Sequence, residues 1–337
     1  MTPPATKKSR AKTPKTPQNG TIGPRWPTVA LNPIHTPDSA FMSRELRRHA
    51  FYSDDRTLIF CADAAQAIGW LASAGVAVDT TVTSPPFYGQ RDYGVEGQIG
   101  LELHPSEYLS RLVEVFRKCR EVFKETSSLW VNLGDTYWSG RGEHRSGEAK
   151  QAARRFGLRP QDRKGDGIWC RPKQLLLIPH RFAIAMQEAD WILRNDNVWV
   201  KPNPVPDQVR DRCSMGHEYV FHFVTQRFYY YRRDRVGRPN PGKPPLPPLD
   251  VWVVPPSKGS NGHPAAFSAD LVDLPIRATT PPNGVVLDPF AGSGTTLLHA
   301  RRLGYRAIGI DIKPEYCKAM AAACQKNPPI LLPHSEK

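Results

Sequence analysis

Long apolar runs are missing from this sequence, and none reaches the roughly 18 residues that a membrane-spanning helix needs. The first twenty residues contain basic side chains but no apolar core, which argues against a secretory signal. Cysteine is also scarce, because only six residues are scattered along the chain without a C-x-x-C pair. Such spacing is typical of reduced thiols rather than of a disulfide framework or a zinc site. We therefore expect a cytoplasmic protein without a metal ion.

Positive charge, in contrast, is abundant and is concentrated in three segments. The formal net charge is +14 over 337 residues. Residues 1–48 carry +7, residues 139–173 carry +6 and residues 227–243 carry +5, so the remainder of the chain is mildly acidic. A mildly acidic body with basic appendages favours a polyanionic partner, because each phosphate contact releases counterions. General solubilisation explains the charge equally well at this point.

Strands and helices alternate along most of the chain. Leu58–Cys61 is predicted to be a strand, followed by a helix whose cap is Asp63, while Tyr108, Leu112 and Phe116 share one face of a second helix. Further strands are predicted in "SSLWVNLGD", "DNVWVK", "EYVFHFV", "VVLDPF" and "RAIGIDI". This alternation indicates an α/β fold with a mainly parallel, doubly wound sheet.

A glycine turn follows the predicted strand in "VVLDPFAGSGTT". Gly292 and Gly294 permit a tight turn into a helix, and Asp311 ends the next strand, where it is placed to accept hydrogen bonds from ribose hydroxyls. The turn has no lysine for phosphates, which argues against an NTPase, and it lacks the third glycine of a dinucleotide fold. Because it opens with Asp288, we expect a cationic or hydroxyl-bearing ligand.

A stiff corner interrupts another predicted strand in "TVTSPPFYGQ". The strand stops at Ser84, and two prolines and two aromatic residues follow. Proline fixes φ and donates no N–H, so the corner is rigid and its carbonyl groups stay aimed. Alone, "SPPF" is most simply a turn after a strand.

Together, "TSPPF" and "DPFAGSGTT" resemble the two signature motifs of the amino-methylating DNA methyltransferases. The catalytic motif precedes the cofactor motif, as in the permuted β group of that family, and serine at its first position is typical of the cytosine-N4-specific enzymes of restriction–modification systems. The resemblance covers roughly residues 57–320. It implies a Rossmann-like S-adenosyl-L-methionine-dependent methyltransferase fold, a mainly parallel sheet with one antiparallel strand, and basic DNA-binding insertions.

The same resemblance implies which residues bind the cofactor, S-adenosyl-L-methionine. Asp63 is expected near the adenine, and Phe267 lies in residues 263–276, which resemble the helix that closes over the methionine. The full predicted set is Asp63, Phe267, Asp288, Pro289, Phe290, Gly292, Gly294, Thr295 and Asp311.

The predicted catalytic residues are Ser84, Pro85, Pro86 and Phe87. The exocyclic amine of cytosine is a poor nucleophile, because its lone pair is delocalised into the ring. We expect Ser84 Oγ and the Pro85 carbonyl to accept its two protons and aim the lone pair at the methyl carbon. Phe87, with Tyr88 as a second candidate, is expected to stack on a base flipped out of the duplex. Methylation at cytosine C5 would need a Pro-Cys nucleophile motif, which does not occur here.

Two basic segments are the candidates for reading double-stranded DNA in the same cleft. One is the insertion at 139–173 and the other is the segment at 227–261, where arginines lie beside a run of aromatic residues. The predicted DNA-binding residues are Arg154, Arg155, Arg227, Arg232, Arg233 and Arg235.

The predicted organisation follows from these motifs. It comprises a disordered basic tail (1–48), a catalytic half (49–138 and 174–226), a basic insertion (139–173), a target-recognition segment (227–261), a cofactor-binding half (262–325) and a C-terminal tail (326–337). The resemblance implies an enzyme in the cytoplasm of a bacterial or phage-infected cell, with a cognate restriction endonuclease acting separately. Adenine-N6 methylation on the same fold, and a catalytically inactive DNA-binding protein, remain as alternatives.

Overall fold

The computed structural model describes residues 38–41, 43–140, 160–204, 209–256 and 268–328. The strands are β1 (Tyr52–Ser53), β2 (Thr57–Cys61), β3 (Val78–Thr83), β4 (Phe123–Leu133), β5 (Tyr137–Trp138), β6 (Gln174–Leu175), β7 (Ile192–Val200), β8 (His217–Val224), β9 (Val251–Val253), β10 (Val285–Asp288) and β11 (Arg306–Asp311). The helices are α1 (Asp38–Phe41), α2 (Arg44–His49), α3 (Ala64–Ser73), α4 (Pro105–Cys119), α5 (Ile178–Glu188), α6 (Arg233–Val236), α7 (Ala269–Thr279), α8 (Thr295–Arg302) and α9 (Pro314–Lys326).

Nine strands form one sheet in the order β1-β2-β11-β10-β3-β4-β8-β7-β9. The five central strands from β2 to β4 run parallel, whereas β8 is antiparallel to both β4 and β7. This arrangement confirms the predicted α/β fold, and β8 is its antiparallel strand. The two-residue β1, which also pairs antiparallel with β2, is an additional edge strand that the sequence did not indicate.

Helices cover both faces of the sheet, because each presents an apolar stripe to it. On one face, α4 buries Tyr108, Leu112 and Phe116 together with residues of α3 and α5. On the other face, α7, α8 and α9 pack through residues such as Ile276 and Met320. The helical spacing recognised in the sequence therefore corresponds to the buried face of α4. Among the described residues, no helix has both the length and the hydropathy needed to cross a bilayer.

The stretch predicted as an N-terminal tail contains structure at its end. Ser43 caps α2 by accepting a hydrogen bond from the backbone N–H of Leu46 at 3.2 Å. Phe41 and Leu46 are fully buried in the core. The predicted tail boundary at residue 48 is therefore wrong, because two short helices with isolated apolar residues give no long periodic pattern.

The described end of the 139–173 insertion is also ordered against the body. Strands β5 and β6 pair at its base. Gln161, which is 1% exposed, donates from Nε2 to the carbonyl oxygen of Gly89 at 2.8 Å. This contact fixes the insertion beside the loop that leaves the Pro-Pro corner.

Candidate active site

One cleft of about 540 Å³ lies at the carboxyl ends of the central parallel strands. Residues of both sequence motifs line it: Ser84, Pro85, Pro86 and Phe87 from the end of β3, and Pro289 and Phe290 from the end of β10. The two motifs are some 200 residues apart in the sequence, yet β3 and β10 are neighbours in the sheet. Carboxyl ends of parallel strands meet at one edge, which is where such folds bind their ligands.

A buried hydrogen bond joins the two motifs directly. Thr83, which precedes the corner, donates from Oγ1 to Oδ1 of Asp288 at 2.6 Å. The same carboxylate oxygen accepts from the backbone N–H of Phe290 at 3.1 Å. Asp288 thus fixes the start of the glycine turn relative to Ser84.

Asp288 itself does not line the cleft, which corrects the expectation that it contacts the ligand. Its side chain is 1% exposed, because the last residue of β10 points into the protein beside β3. Burial raises the pKa of Asp288 from its ordinary value of 3.8 to about 6. Hydrogen bonds from Thr83 and Phe290 oppose that shift without cancelling it.

We expect Asp288→Asn to become increasingly stabilising as pH rises. A carboxyl whose pKa is raised by folding contributes most stability below 3.8 and loses that contribution as pH rises through about 6. The amide keeps an acceptor for Thr83 and cannot ionise. The difference in unfolding free energy between variant and wild type should therefore grow by about 2 kcal/mol from pH 4 to pH 8. Urea denaturation of the cofactor-free protein at both pH values measures it, and a constant difference contradicts the assignment.

The cofactor side of the cleft is built around Asp311 at the end of β11. Its Oδ2 accepts from the backbone N–H of Gly292 and its Oδ1 from that of Lys313, both at 2.8 Å. Burial raises the pKa of Asp311, and these hydrogen bonds lower it. Asp63 lines the same side and caps α3 through Oδ1. Asp63, Pro289, Phe290, Gly292 and Asp311 therefore face one cleft.

Three other residues of the predicted cofactor set have different locations. Gly294 has φ +84°, and a Cβ there would lie 2.8 Å from Met320 Cγ, so this glycine is needed for the turn and for close packing on α9. Thr295 begins α8, and neither residue lines the cleft. Phe267 lies outside the described residues.

Residues missed in the sequence complete the catalytic side. Ser84 Oγ donates to Oδ1 of Asn132 at 2.9 Å. Asn132 Nδ2 donates to Oε2 of Glu218 at 3.0 Å, and Glu218 Oε1 pairs with Lys201. All four side chains line the cleft. Their strands were predicted, and the signal was a polar residue at the cleft end of each: Asn132 in "VNLGD", Lys201 in "VWVK" and Glu218 in "HEYVF".

The corner after Ser84 is held by the surrounding protein. Tyr108 of α4 donates from its hydroxyl to the Pro86 carbonyl at 2.8 Å. Within the described part of the chain, no hydrogen bond ends on the Pro85 carbonyl, and Pro85 lines the cleft. Phe87 approaches Gly134 so closely that a Cβ there would lie 2.7 Å from the ring. Tyr88 is 1% exposed, so it is a core residue and not a stacking surface.

The described arginines that were predicted to read DNA lie at the amino ends of the central parallel strands, opposite the cleft at their carboxyl ends. Because β8 is antiparallel, the chain leaves it at the amino end of β4, where Tyr230 N–H donates to the Thr126 carbonyl. Thr126 precedes Asn132 by six residues of β4, which is about 20 Å. Arg235 donates there to Thr280 and Tyr305.

The expectation that this group of arginines flanks the cleft is therefore wrong. The arginines in this group are Arg227, Arg232, Arg233 and Arg235. Arg232 forms an exposed bidentate pair with Asp234, with distances of 2.8 and 2.6 Å. The chain returns to the cleft only along β9, after which Pro256 lines it. Arg154 and Arg155 lie outside the described residues.

Comparisons with known proteins agree with this architecture. A family model described as a DNA methylase, N6_N4_Mtase, matches residues 78–322. The type II methyltransferase M.Cfr9I of Citrobacter freundii is 38% identical over 258 residues, which cover 77% of this chain and 84% of that protein.

Two solved structures share the fold. PvuII DNA methyltransferase, described as cytosine-N4-specific, matches with a TM-score of 0.59 and 21% identity, covering 81% of this chain and 88% of that one. A complex of M1.HpyAVI with SAM matches with a TM-score of 0.52 and 20% identity, covering 79% of this chain and 98% of that one. The family model and the extended likeness to M.Cfr9I establish that the chain belongs to the N6/N4 family of DNA methylases, which confirms the resemblance carried by its two motifs.

Proposed function

We propose that the protein transfers a methyl group from S-adenosyl-L-methionine to the exocyclic N4 amine of cytosine in double-stranded DNA. The observation that carries the proposal is the shared cleft, which Ser84 and Pro85 line together with Phe290 and Gly292 of the glycine turn. Serine at the head of the Pro-Pro motif, which is typical of cytosine-N4 enzymes, favours cytosine over adenine.

The cofactor side of the cleft suits S-adenosyl-L-methionine. Asp311 and Asp63 are carboxylates suited to accepting from hydroxyl and amine groups, and Tyr93 and Tyr316 supply apolar surface beside them. Pro289, Phe290 and Gly292 would line the methionine end, and Asp288 would act indirectly by holding the turn. When bound, the cofactor supplies a methyl group that is already activated by its sulfonium.

The acceptor side of the cleft would hold the amine. Ser84 already donates its only hydroxyl proton to Asn132, so its lone pairs are available for one amine proton. The Pro85 carbonyl accepts the other, and the prolines keep both acceptors in place. Two fixed acceptors draw the nitrogen out of conjugation and aim its lone pair, which is catalysis by orientation.

Phe87 would stack on the flipped cytosine. Its ring is half-buried, lines the cleft and packs on the core beside Gly134, so it offers a fixed flat surface. Base–aromatic stacking contributes about 1–3 kcal/mol per base. This contact would offset part of the cost of removing the base from the duplex.

The DNA would approach the cleft edge of the sheet, where Arg91, Lys201 and Lys313 lie. We expect Arg232→Ala/Arg233→Ala to leave DNA affinity within about twofold of wild type and its salt slope unchanged, because these residues are at the far edge. Arg91→Ala should weaken binding about fivefold and reduce the slope by about 1. Fluorescence anisotropy across a salt series measures both variants. If the double variant instead shows a weaker salt dependence of DNA affinity, DNA binds at the amino ends of the strands and not at the cleft.

Product analysis tests the proposed reaction. Purified protein is incubated with duplex DNA and methyl-labelled cofactor, and the digested DNA is examined by mass spectrometry. N4-methylcytosine is the expected product. N6-methyladenine would overturn the base assignment, and cofactor binding without methyl transfer to any tested DNA would favour an inactive DNA-binding protein.

The same methylation would protect DNA from a cognate endonuclease that acts separately, in restriction–modification or phage self-protection. Within this proposal the protein works in the cytoplasm of a bacterial or phage-infected cell, where its DNA and cofactor are found.

A further inference from the structure

A continuous hydrogen-bonded chain lies behind the Ser84 hydroxyl. Ser84 Oγ is 2.9 Å from Asn132 Oδ1, and Asn132 Nδ2 is 3.0 Å from Glu218 Oε2 and 3.1 Å from the Tyr219 carbonyl oxygen. The other carboxylate oxygen of Glu218 pairs with the ammonium of Lys201. This series of hydrogen bonds therefore links the corner after β3 to the end of β7 through side chains of β4 and β8.

The partners of Asn132 determine which way its amide faces. A side-chain amide has an acceptor end and a donor end of nearly equal shape, and its orientation is decided by its neighbours. Glu218 and the Tyr219 carbonyl can only accept, so both N–H groups of Asn132 must point to them. The amide oxygen is then left for Ser84, whose hydroxyl proton is directed at Asn132.

The opposite orientation would reverse the chemistry at Ser84. An amide turned around would donate to Ser84 Oγ and release the hydroxyl proton toward the cleft. Ser84 would then present a donor to a substrate amine that also needs to donate. Asn132 is 5% exposed, and in such surroundings a mispaired polar group is strongly unfavourable.

A carboxylate at position 218 satisfies two donors at once. One oxygen of Glu218 accepts from Lys201 and the other from Asn132, and the side chain is only 14% exposed. A glutamine has a single acceptor oxygen, so it could serve Lys201 or Asn132 but not both. Because an ammonium is only a donor, Lys201 would take that oxygen and leave the NH₂ group facing Asn132.

We infer that Glu218, held by Lys201, is a positioning residue that fixes the direction of hydrogen bonding through Asn132 and so keeps Ser84 an acceptor. This inference rests on the proposed function, because an acceptor is needed only for a substrate that presents an amine. It extends that function from the residues proposed to hold the amine to the Glu218–Lys201 ion pair on the other side of Asn132.

Glu218→Gln tests the inference. We expect kcat to fall about 100-fold, because a misdirected catalytic group slows the chemical step by about that factor. The cofactor Kd and the KM for DNA should stay within about threefold of the wild-type values. Single-turnover transfer of a tritiated methyl group measures the chemical step. Asp196→Asn, which removes an exposed carboxylate from β7, is the matched control and should behave as wild type.

A second substitution distinguishes positioning from general damage. In Glu218→Gln/Lys201→Met the ammonium is gone, so the glutamine oxygen can turn back to Asn132. We expect the double variant to recover at least about tenfold in kcat over Glu218→Gln, with Lys201→Met alone impaired less than Glu218→Gln. A wild-type kcat in Glu218→Gln, or a double variant no better than it, overturns the inference.

Asn132→Asp provides a test that does not depend on the folding of the Glu218 variants. Its carboxylate faces Glu218, which raises its pKa, and only the protonated form can both accept from Ser84 and donate to Glu218. The ratio of variant to wild-type kcat should rise as pH falls from 9 to 6, and a flat ratio overturns the inference. The product stays N4-methylcytosine in either case, whereas failure of the proposed function would change or remove the product of the wild type.

Discussion

Ser84→Ala is expected to lower kcat at least about 100-fold while leaving cofactor binding unchanged. The substitution removes one of the two acceptors proposed to hold the amine, and loss of one preorganised hydrogen-bonding group at a reaction centre typically has an effect of about 100- to 1000-fold. Ser84 is half-buried and contacts Asn132 rather than the glycine turn, so the cofactor side should stay intact. Single-turnover methyl transfer and calorimetric titration of the cofactor measure the two effects separately.

The control for this variant is Ser73→Ala, which removes an exposed hydroxyl from the end of α3. It should match wild type in both measurements. A Ser84→Ala enzyme with a wild-type rate would mean that the Pro85 carbonyl alone suffices, and it would remove the main reason for assigning Ser84 to the reaction.

Asp311→Asn is expected to weaken cofactor binding by about 30- to 100-fold. Both oxygens of Asp311 accept backbone N–H groups, one from Gly292 in the turn and one from Lys313. An amide must direct its NH₂ group at one of these donors, which displaces the turn that the cofactor is proposed to contact and weakens binding by about 2–3 kcal/mol. It also loses an acceptor for the ligand. Calorimetry with S-adenosyl-L-methionine measures the change in Kd.

Asp55→Asn is the matched control, since Asp55 is an exposed carboxylate just before β2, at the sheet edge away from the cleft. Its cofactor affinity should equal that of wild type. If Asp311→Asn also binds with wild-type affinity, the cofactor does not lie against the end of β11, and the proposed placement of its ribose fails.

The sequence was sufficient to predict that distant motifs meet. Parallel strands bring their carboxyl ends to one edge, so identifying Ser84 and Phe290 as residues just after strands placed them together. The helix cap at Asp63 and the buried face of α4 followed from local patterns as well. These features depend on spacing within a few residues or on a topology common to the fold class.

Side-chain direction at the strand ends was not accessible in the same way. Whether Asp288 faces the ligand or Thr83 depends on the register between β10 and β3, and a strand's own sequence does not contain its register. The roles of Asn132 and Glu218 are not evident from the sequence for a related reason. Each is a single polar residue within a buried strand, and only their contact across β4 and β8 shows that they act together.

The error over the arginines after β8 arose from strand direction. One antiparallel strand was expected, but the consequence depends on which strand it is. Because β8 is that strand, Arg232 emerges at the amino edge of the sheet, and the chain needs β9 to return to the cleft. The mixture of arginine and tyrosine in residues 227–235 does not indicate at which end of the strands this segment lies.

The hydrogen bond between Thr83 and Asp288 has a mechanical consequence. It joins adjacent central strands at their tips, so the acceptor corner and the glycine turn form one rigid body that cannot hinge apart without breaking the sheet. The spacing between methyl donor and amine is then set once, at folding. Under the proposed function, any adjustment to an entering base would then fall to the connections outside the sheet, such as the loop after Phe87 that Gln161 contacts at Gly89.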